Sequence, residues 1–150
     1  MIARNARAII LSKMIDYSKK LTEHFLKPRN VGIIENADGV GKIGSKECGD
    51  YFEFYIKVKD NRITEVKFRV FGCGAAIGLC SIVSEIAKNK TLGEALQITD
   101  QNAVEEAGGL PDEKIHCSNY AASALHLAVK DYYRRVFEEA GVCIPAEFRQ

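Results

Sequence analysis

No run of about 18 apolar residues occurs anywhere in the chain, so the sequence contains no segment fit to cross a bilayer as a helix. The one short apolar stretch near the start, Ala8-Ile9-Ile10-Leu11, falls short even of a signal-peptide core. Charge of one sign is also lacking. Twenty-one basic and 20 acidic residues leave a net +1 and no basic stripe of the kind that neutralises phosphates, which argues against a nucleic-acid partner. There is no internal repeat and no low-complexity segment. With a membrane and nucleic acid set aside, a soluble cytoplasmic protein is expected.

What is present suits one globular domain with a real core: 150 residues, 47% hydrophobic and 27% charged. Residues 1–15 read as a basic extension, because Arg4, Arg7 and Lys13 precede the first acid at Asp16. Such a stretch suits either a basic N-terminal arm, a start that belongs at Met14, or a short transit segment, and the last would place the protein in a mitochondrial-type matrix. Residues 16–138 read as the domain and 139–150 as a tail.

Tyr17, Leu21 and Phe25 recur at helical spacing until Pro28 stops the pattern. Phe52, Phe54, Ile56 and Val58 alternate with polar residues, Asp60-Asn61 makes a turn, and Val66, Phe68 and Val70 alternate again. That is an antiparallel hairpin with one wet face, and Val40 to Ile43 can add a third strand. Ala76, Leu79, Val83, Ile86 and Ala87 mark a helix, short helices are expected over 92–96 and 101–107, and a long one over 118–137. The order predicts an α+β fold, a small three-stranded antiparallel sheet with helices packed on it.

Five cysteines, an odd number, with no signal peptide point to thiols kept reduced for metal or redox chemistry. Three of them stand at breaks between elements: Cys48 before the first long strand, Cys73 between strand and helix, Cys117 at the start of the last helix. Structural thiols usually fall inside apolar patterns, as Cys80 does, and Cys80 is expected in the core. Cys143 lies in the tail as a bystander. Gly49 and the glycines flanking Cys73 let backbone approach a bulky inorganic core, and a helix start favours thiolate at Cys73. Asp50 and His116 stand beside these thiols as further candidate ligands. Three thiolates with an imidazole or carboxylate satisfy tetrahedral zinc and equally a 2Fe-2S cluster. His24 and His126, on helices without a second ligand type nearby, are expected at surface or boundary positions.

Four segments, His24-Phe25-Leu26-Lys27-Pro28-Arg29-Asn30-Val31-Gly32, Glu47-Cys48-Gly49-Asp50, Phe71-Gly72-Cys73-Gly74-Ala75-Ala76-Ile77 and Lys114-Ile115-His116-Cys117-Ser118, closely resemble the IscU/NifU-type iron-sulfur cluster scaffold proteins. The cysteines lie 25 and then 44 positions apart. The resemblance implies that Cys48, Cys73 and Cys117 hold a 2Fe-2S cluster, that His116 is an auxiliary iron ligand and that Asp50 keeps the cluster labile. It also implies sulfur delivery by a cysteine desulfurase, with Cys117 as acceptor, and transfer to apo-proteins. An Hsp70-type chaperone with its J-protein, a ferredoxin, a frataxin-like protein and a second copy of the chain are the further partners implied. The chaperone segment of that family reads Leu-Pro-Pro-Val-Lys, whereas Leu110-Pro111-Asp112-Glu113-Lys114 stands here. A zinc-dependent sulfurtransferase of the SufU type is the nearest rival; it carries an insertion before its third cysteine and lacks the adjacent histidine, whereas this chain has no insertion and keeps His116.

Overall fold

The structure, a computed structural model, describes residues 18–44, 49–110 and 120–149. In chain order the elements are α1 (Lys19–Leu26), β1 (Gly39–Gly44), β2 (Tyr51–Lys59), β3 (Arg62–Phe71), α2 (Gly74–Ala87), α3 (Leu92–Leu96), α4 (Asp100–Glu106), α5 (Ala121–Glu139) and a 3-10 turn (Ala146–Phe148). The strands form one antiparallel sheet in the order β1-β2-β3. The expected α+β architecture is therefore present, and the basic extension over 1–15 lies outside the described residues.

The hairpin turn is closed by Asp60 and Asn61, both in the left-handed region at φ 52° and 61°. A two-residue turn with two positive φ values matches the right-handed twist of its strands, and Asp and Asn tolerate it. Inward from the turn the register shifts once, with Lys57 opposite Glu65 but Val58 opposite Ile63. This bulge leaves Thr64 as the extra residue, its hydroxyl donating to the Lys57 carbonyl at 3.3 Å. The extra residue lets Ile63 and Val66 both point into the core although they are three apart, at 0% and 1% exposure. Sequence alternation captured only Val66, Phe68 and Val70.

The helices cover one face of the sheet over Phe52, Phe54, Ile56 and Phe68. α1 lies antiparallel to α2, with Leu21 over Gly78 and Phe25 over Gly74, where a β-carbon would come within 2.5 and 3.2 Å of those side chains. α5 crosses β1 even more closely. A β-carbon at Gly41 would stand 2.1 Å from the Ala124 carbonyl oxygen, and one at Gly39 2.2 Å from that of Ala128. The small faces Gly39/Gly41 and Ala124/Ala128 are thus one interface, in which helix backbone rests on strand backbone. Asp131 on α5 then accepts the edge amide of Val40 at 2.9 Å and pairs with Arg134 and Arg135, which seals the outer edge of β1.

Two expectations need correction. His24 is not at the surface or boundary: it is 5% exposed between α1 and α2. Arg29 can only donate to its Nε2, at 3.1 Å, so Nδ1 carries the proton and donates to the Ser81 hydroxyl at 2.7 Å. Ser81 also accepts the Arg29 amide at 3.0 Å, and Asn30 donates to Ser84 and Glu85, so the 27–32 loop is fastened to α2 by buried polar groups. Nor is Glu53 on a wet face. It is 6% exposed, in a row with Lys42 and Arg69 from the neighbouring strands. Burial alone would raise its pKa, but hydrogen bonds from Tyr55 and Tyr51 and the charges of Arg69 and Lys42 hold it below the usual value.

Gly41→Ala should destabilise the fold by about 3 kcal/mol or more, a fall in Tm of roughly 10 °C, since helix backbone cannot yield as a side chain does. Gly93→Ala, in α3 with nothing within 4 Å of the added carbon, should raise stability by roughly 0.5 kcal/mol. Thermal melts of the two variants check both signs.

The His24 pKa lies below its ordinary 6.5, through burial first and then the charges of Arg29 and Lys20. The unfolded chain therefore binds this proton more readily, so the stabilisation is complete above pH 6.5 and is lost as pH falls below it. Tm should drop more between pH 7.5 and 5 in the wild type than in His24→Gln, a comparison that equal slopes would contradict.

Candidate metal centre

The pairing of Tyr51 with Phe71 at the open end of the hairpin decides what lies beyond it. Asp50 precedes β2 and Gly72-Cys73 follows β3, so the register sets them face to face. The contact is direct: a β-carbon at Gly72 would meet the Asp50 carboxyl at 3.0 Å. Asp50 is 7% exposed, folded against this backbone instead of extended into solvent. Gly49 before it has φ +71°, a conformation that glycine takes without strain, and nothing lies within 4 Å of where its side chain would be.

Cys73 is the N-cap residue of α2, with φ −73° and ψ 171°, and its side chain makes no capping hydrogen bond. It is partly exposed, at the positive end of a 14-residue helix. Around it stand Phe25 over Gly74 and the exposed ring of Phe71, which Tyr51 meets at 6.4 Å and the Arg69 guanidinium at 5.8 Å. At the same end Tyr120, the N-cap of α5, lays its ring 6.0 Å from that of Phe52.

Cys80 is of a different kind. It is 0% exposed inside α2, and burial first, then the nearby Asp50 charge, push its thiol well above the ordinary value. It stays protonated, as a core residue should. Cys143 is exposed in the tail, where Arg149 donates to its sulfur at 3.6 Å. His126 is half-buried on α5, in keeping with a boundary position.

Of the five expected site residues, the structure thus brings Asp50 and Cys73 together. Cys48, His116 and Cys117 lie outside the described residues, as do Pro111 to Lys114 of the chaperone-type segment. Among the described residues no three His, Cys, Asp or Glu side chains gather as a metal site. The burial of Asp50 was not foreseen. Its signal is the place of Gly72 just beyond the Tyr51–Phe71 pair, against the residue before β2, visible only once the strand register is known.

The family described as the NifU-like N terminal domain matches residues 16–139. An iron-sulfur cluster assembly scaffold protein IscU of Archaeoglobus fulgidus is 56% identical over 119 residues, 79% of this chain and 78% of that one. The IscU scaffold of Aquifex aeolicus is 47% identical over 119 residues, covering 78% of this chain and 76% of its own. That of Escherichia coli K12 is 43% identical over 120 residues, covering 77% and 93%. In structure, the N-terminal part of a NifU-like protein from Brucella abortus superposes with a TM-score of 0.68 over 80% of this chain and 96% of that one, at 17% identity. A SufU-type assembly protein from Fervidobacterium islandicum gives 0.63 over 77% and 98%, at 21% identity, and like the Brucella protein it speaks for the fold alone. With a family match across residues 16–139 and scaffold relatives at 43 to 56% identity, the chain belongs to the IscU/NifU-type iron-sulfur cluster assembly scaffold family.

Proposed function

We propose that this chain builds a 2Fe-2S cluster on Cys48, Cys73 and Cys117, with His116 and Asp50 as auxiliary ligands, and passes it to apo-proteins. The observation that carries the reading is the register that sets Asp50 against Gly72 beside Cys73. Two chain directions support it: Gly49 leads directly back to Cys48, and Tyr120 stands three residues after Cys117 at the same end of the sheet. On this reading the site combines three soft thiolates with a hard carboxylate oxygen. The cluster is cargo, so a ligand that lets go is an asset there.

Sulfur arrives as a persulfide on a cysteine desulfurase. The Cys117 thiolate attacks the outer sulfur, the donor S–S bond breaks, the donor cysteine leaves as thiolate and a persulfide forms on Cys117. Each such sulfur needs two electrons to become sulfide, which an external reductant of the ferredoxin class supplies. The exposed apolar side chains of Phe71, two residues before Cys73, and of Leu26, next to the Phe25 that covers Gly74, offer a surface on which the donor can dock.

Anaerobic loading with ferrous iron, cysteine and a desulfurase should give a 2Fe-2S chromophore with matching iron and acid-labile sulfide. Retention of zinc with no sulfide would instead favour a sulfurtransferase. Ser replacement of Cys48, Cys73 or Cys117 should abolish or severely weaken loading while Tm is nearly kept. Cys80→Ser should cost roughly 1 to 3 kcal/mol, while the folded fraction still loads. Asp50→Ala should keep its cluster longer in air and against chelators, measured as the decay of visible absorption; faster decay would contradict a labilising carboxylate.

A further inference from the structure

Gly49 and Gly72, the two glycines nearest the Asp50 carboxylate, are glycine for opposite reasons. Gly49 has φ +71° and open space where a side chain would be, so its backbone conformation calls for glycine. Gly72 has no left-handed φ to accommodate. Its missing side chain leaves room instead: a β-carbon would meet Asp50 Cγ and Oδ1 at 3.0 Å and the Ala76 methyl at 3.2 Å, closer than such carbons normally come.

Of these neighbours only one can yield. Ala76 is fully buried in the first turn of α2, and its methyl is fixed to the helix backbone. The backbone at Gly72 is held as well, between the Tyr51–Phe71 pair of the sheet and the Cys73 carbonyl, which accepts the Ile77 amide at 3.2 Å. The Asp50 carboxyl, by contrast, can turn about two single bonds. Its charge also reaches the buried Cys80 thiol, four residues beyond Ala76 on the same face of α2. At 7% exposure the carboxylate is lodged between strand end and helix, a costly place for a charge. Turned out of it, so short a side chain stays at the end of the sheet that carries Cys73.

We propose that Gly72 is a positioning residue for the assembly site: the room left by its missing side chain holds the Asp50 carboxylate back and so sets how often that carboxylate reaches iron. The inference rests on the reading of Asp50 as the labilising ligand. The carboxylate then has two arrangements, lodged against Gly72 or turned onto iron, and a larger residue 72 disfavours the first alone. Lability should therefore rise with the size of that residue, although Asp50 itself is unchanged.

The experiment compares Gly72→Ala and Gly72→Val in the full chain, each with Asp50 present and with Asp50→Ala. In the metal-free protein, carbodiimide-driven coupling of glycine ethyl ester to Asp50 is mapped by mass spectrometry, with the exposed Glu65 carboxylate as internal reference. Coupling at Asp50 should quicken modestly in Gly72→Ala, where a small shift of the carboxyl suffices. In Gly72→Val it should quicken about fivefold or more, the scale on which overpacking disfavours one arrangement. After loading, cluster lifetime against a chelator should fall in the same order and by similar factors. In the Asp50→Ala background the same substitutions should leave lifetime unchanged, because nothing remains for them to displace. A merely structural effect of residue 72 would shorten lifetime equally in both backgrounds, and that result would overturn the proposal. So would unchanged coupling at Asp50, or a lengthened lifetime with Asp50 present. If Gly72→Val does not fold, Gly72→Ala carries the same comparison. If the wild type takes up no iron and sulfide, the scaffold reading and the role of Gly72 in lability fail together, while the coupling rates still decide whether Gly72 gives the carboxylate its place.

Discussion

The register of the β2–β3 hairpin is the constraint on which the rest of this molecule depends. A slip of one residue would turn every inward side chain outward, because strand side chains alternate with period two. The Asp60-Asn61 turn sets the register at one end and the bulge at Thr64 corrects it once, so that Ile63, Val66 and Phe68 all enter the core. At the other end the same register delivers Asp50 to Gly72 and Cys73. Core and site are two ends of a single pairing.

Around that sheet, backbone contacts take the place of large interlocking side chains. α5 rests on Gly39 and Gly41, and α1 on Gly74 and Gly78. Such close approach gathers many dispersion contacts but leaves little room for error, so polar groups hold each element in place. His24, Ser81 and Arg29 fasten the 27–32 loop to α2, and Asp131 ties α5 to the edge of β1. These are buried or half-buried hydrogen bonds, whose loss leaves an unsatisfied partner behind. The segment from His24 to Gly32, one of the four that resemble the family, is accordingly structural in large part: the His24 and Asn30 side chains and the Arg29 amide bond to α2, while the Arg29 side chain bonds to His24 and Glu23 of α1.

Much of this was legible beforehand. Apolar alternation located the strands, and helical spacing located α1, α2 and α5, because both periods follow from backbone geometry alone. The position of Cys80 in an apolar helical pattern foretold its burial. Cys73 was recognisable as different because it falls between elements. The failures share one cause. His24 and Glu53 are polar residues whose burial depends on partners distant in sequence, Ser81 and Arg69, and no local pattern announces such a pair.

The sequence by itself determined the α+β class, the elements and the family, since periodicity, turn residues and four short motifs are properties of neighbouring residues. Only the tertiary structure decided that Asp50 folds against Gly72 and that His24 is a neutral buried link. Each of these joins residues 5 to 57 positions apart through contacts that exist only after the elements have packed. Burial then sets their chemistry, because the cost of hiding a polar or charged group is settled by the partners that packing brings to it.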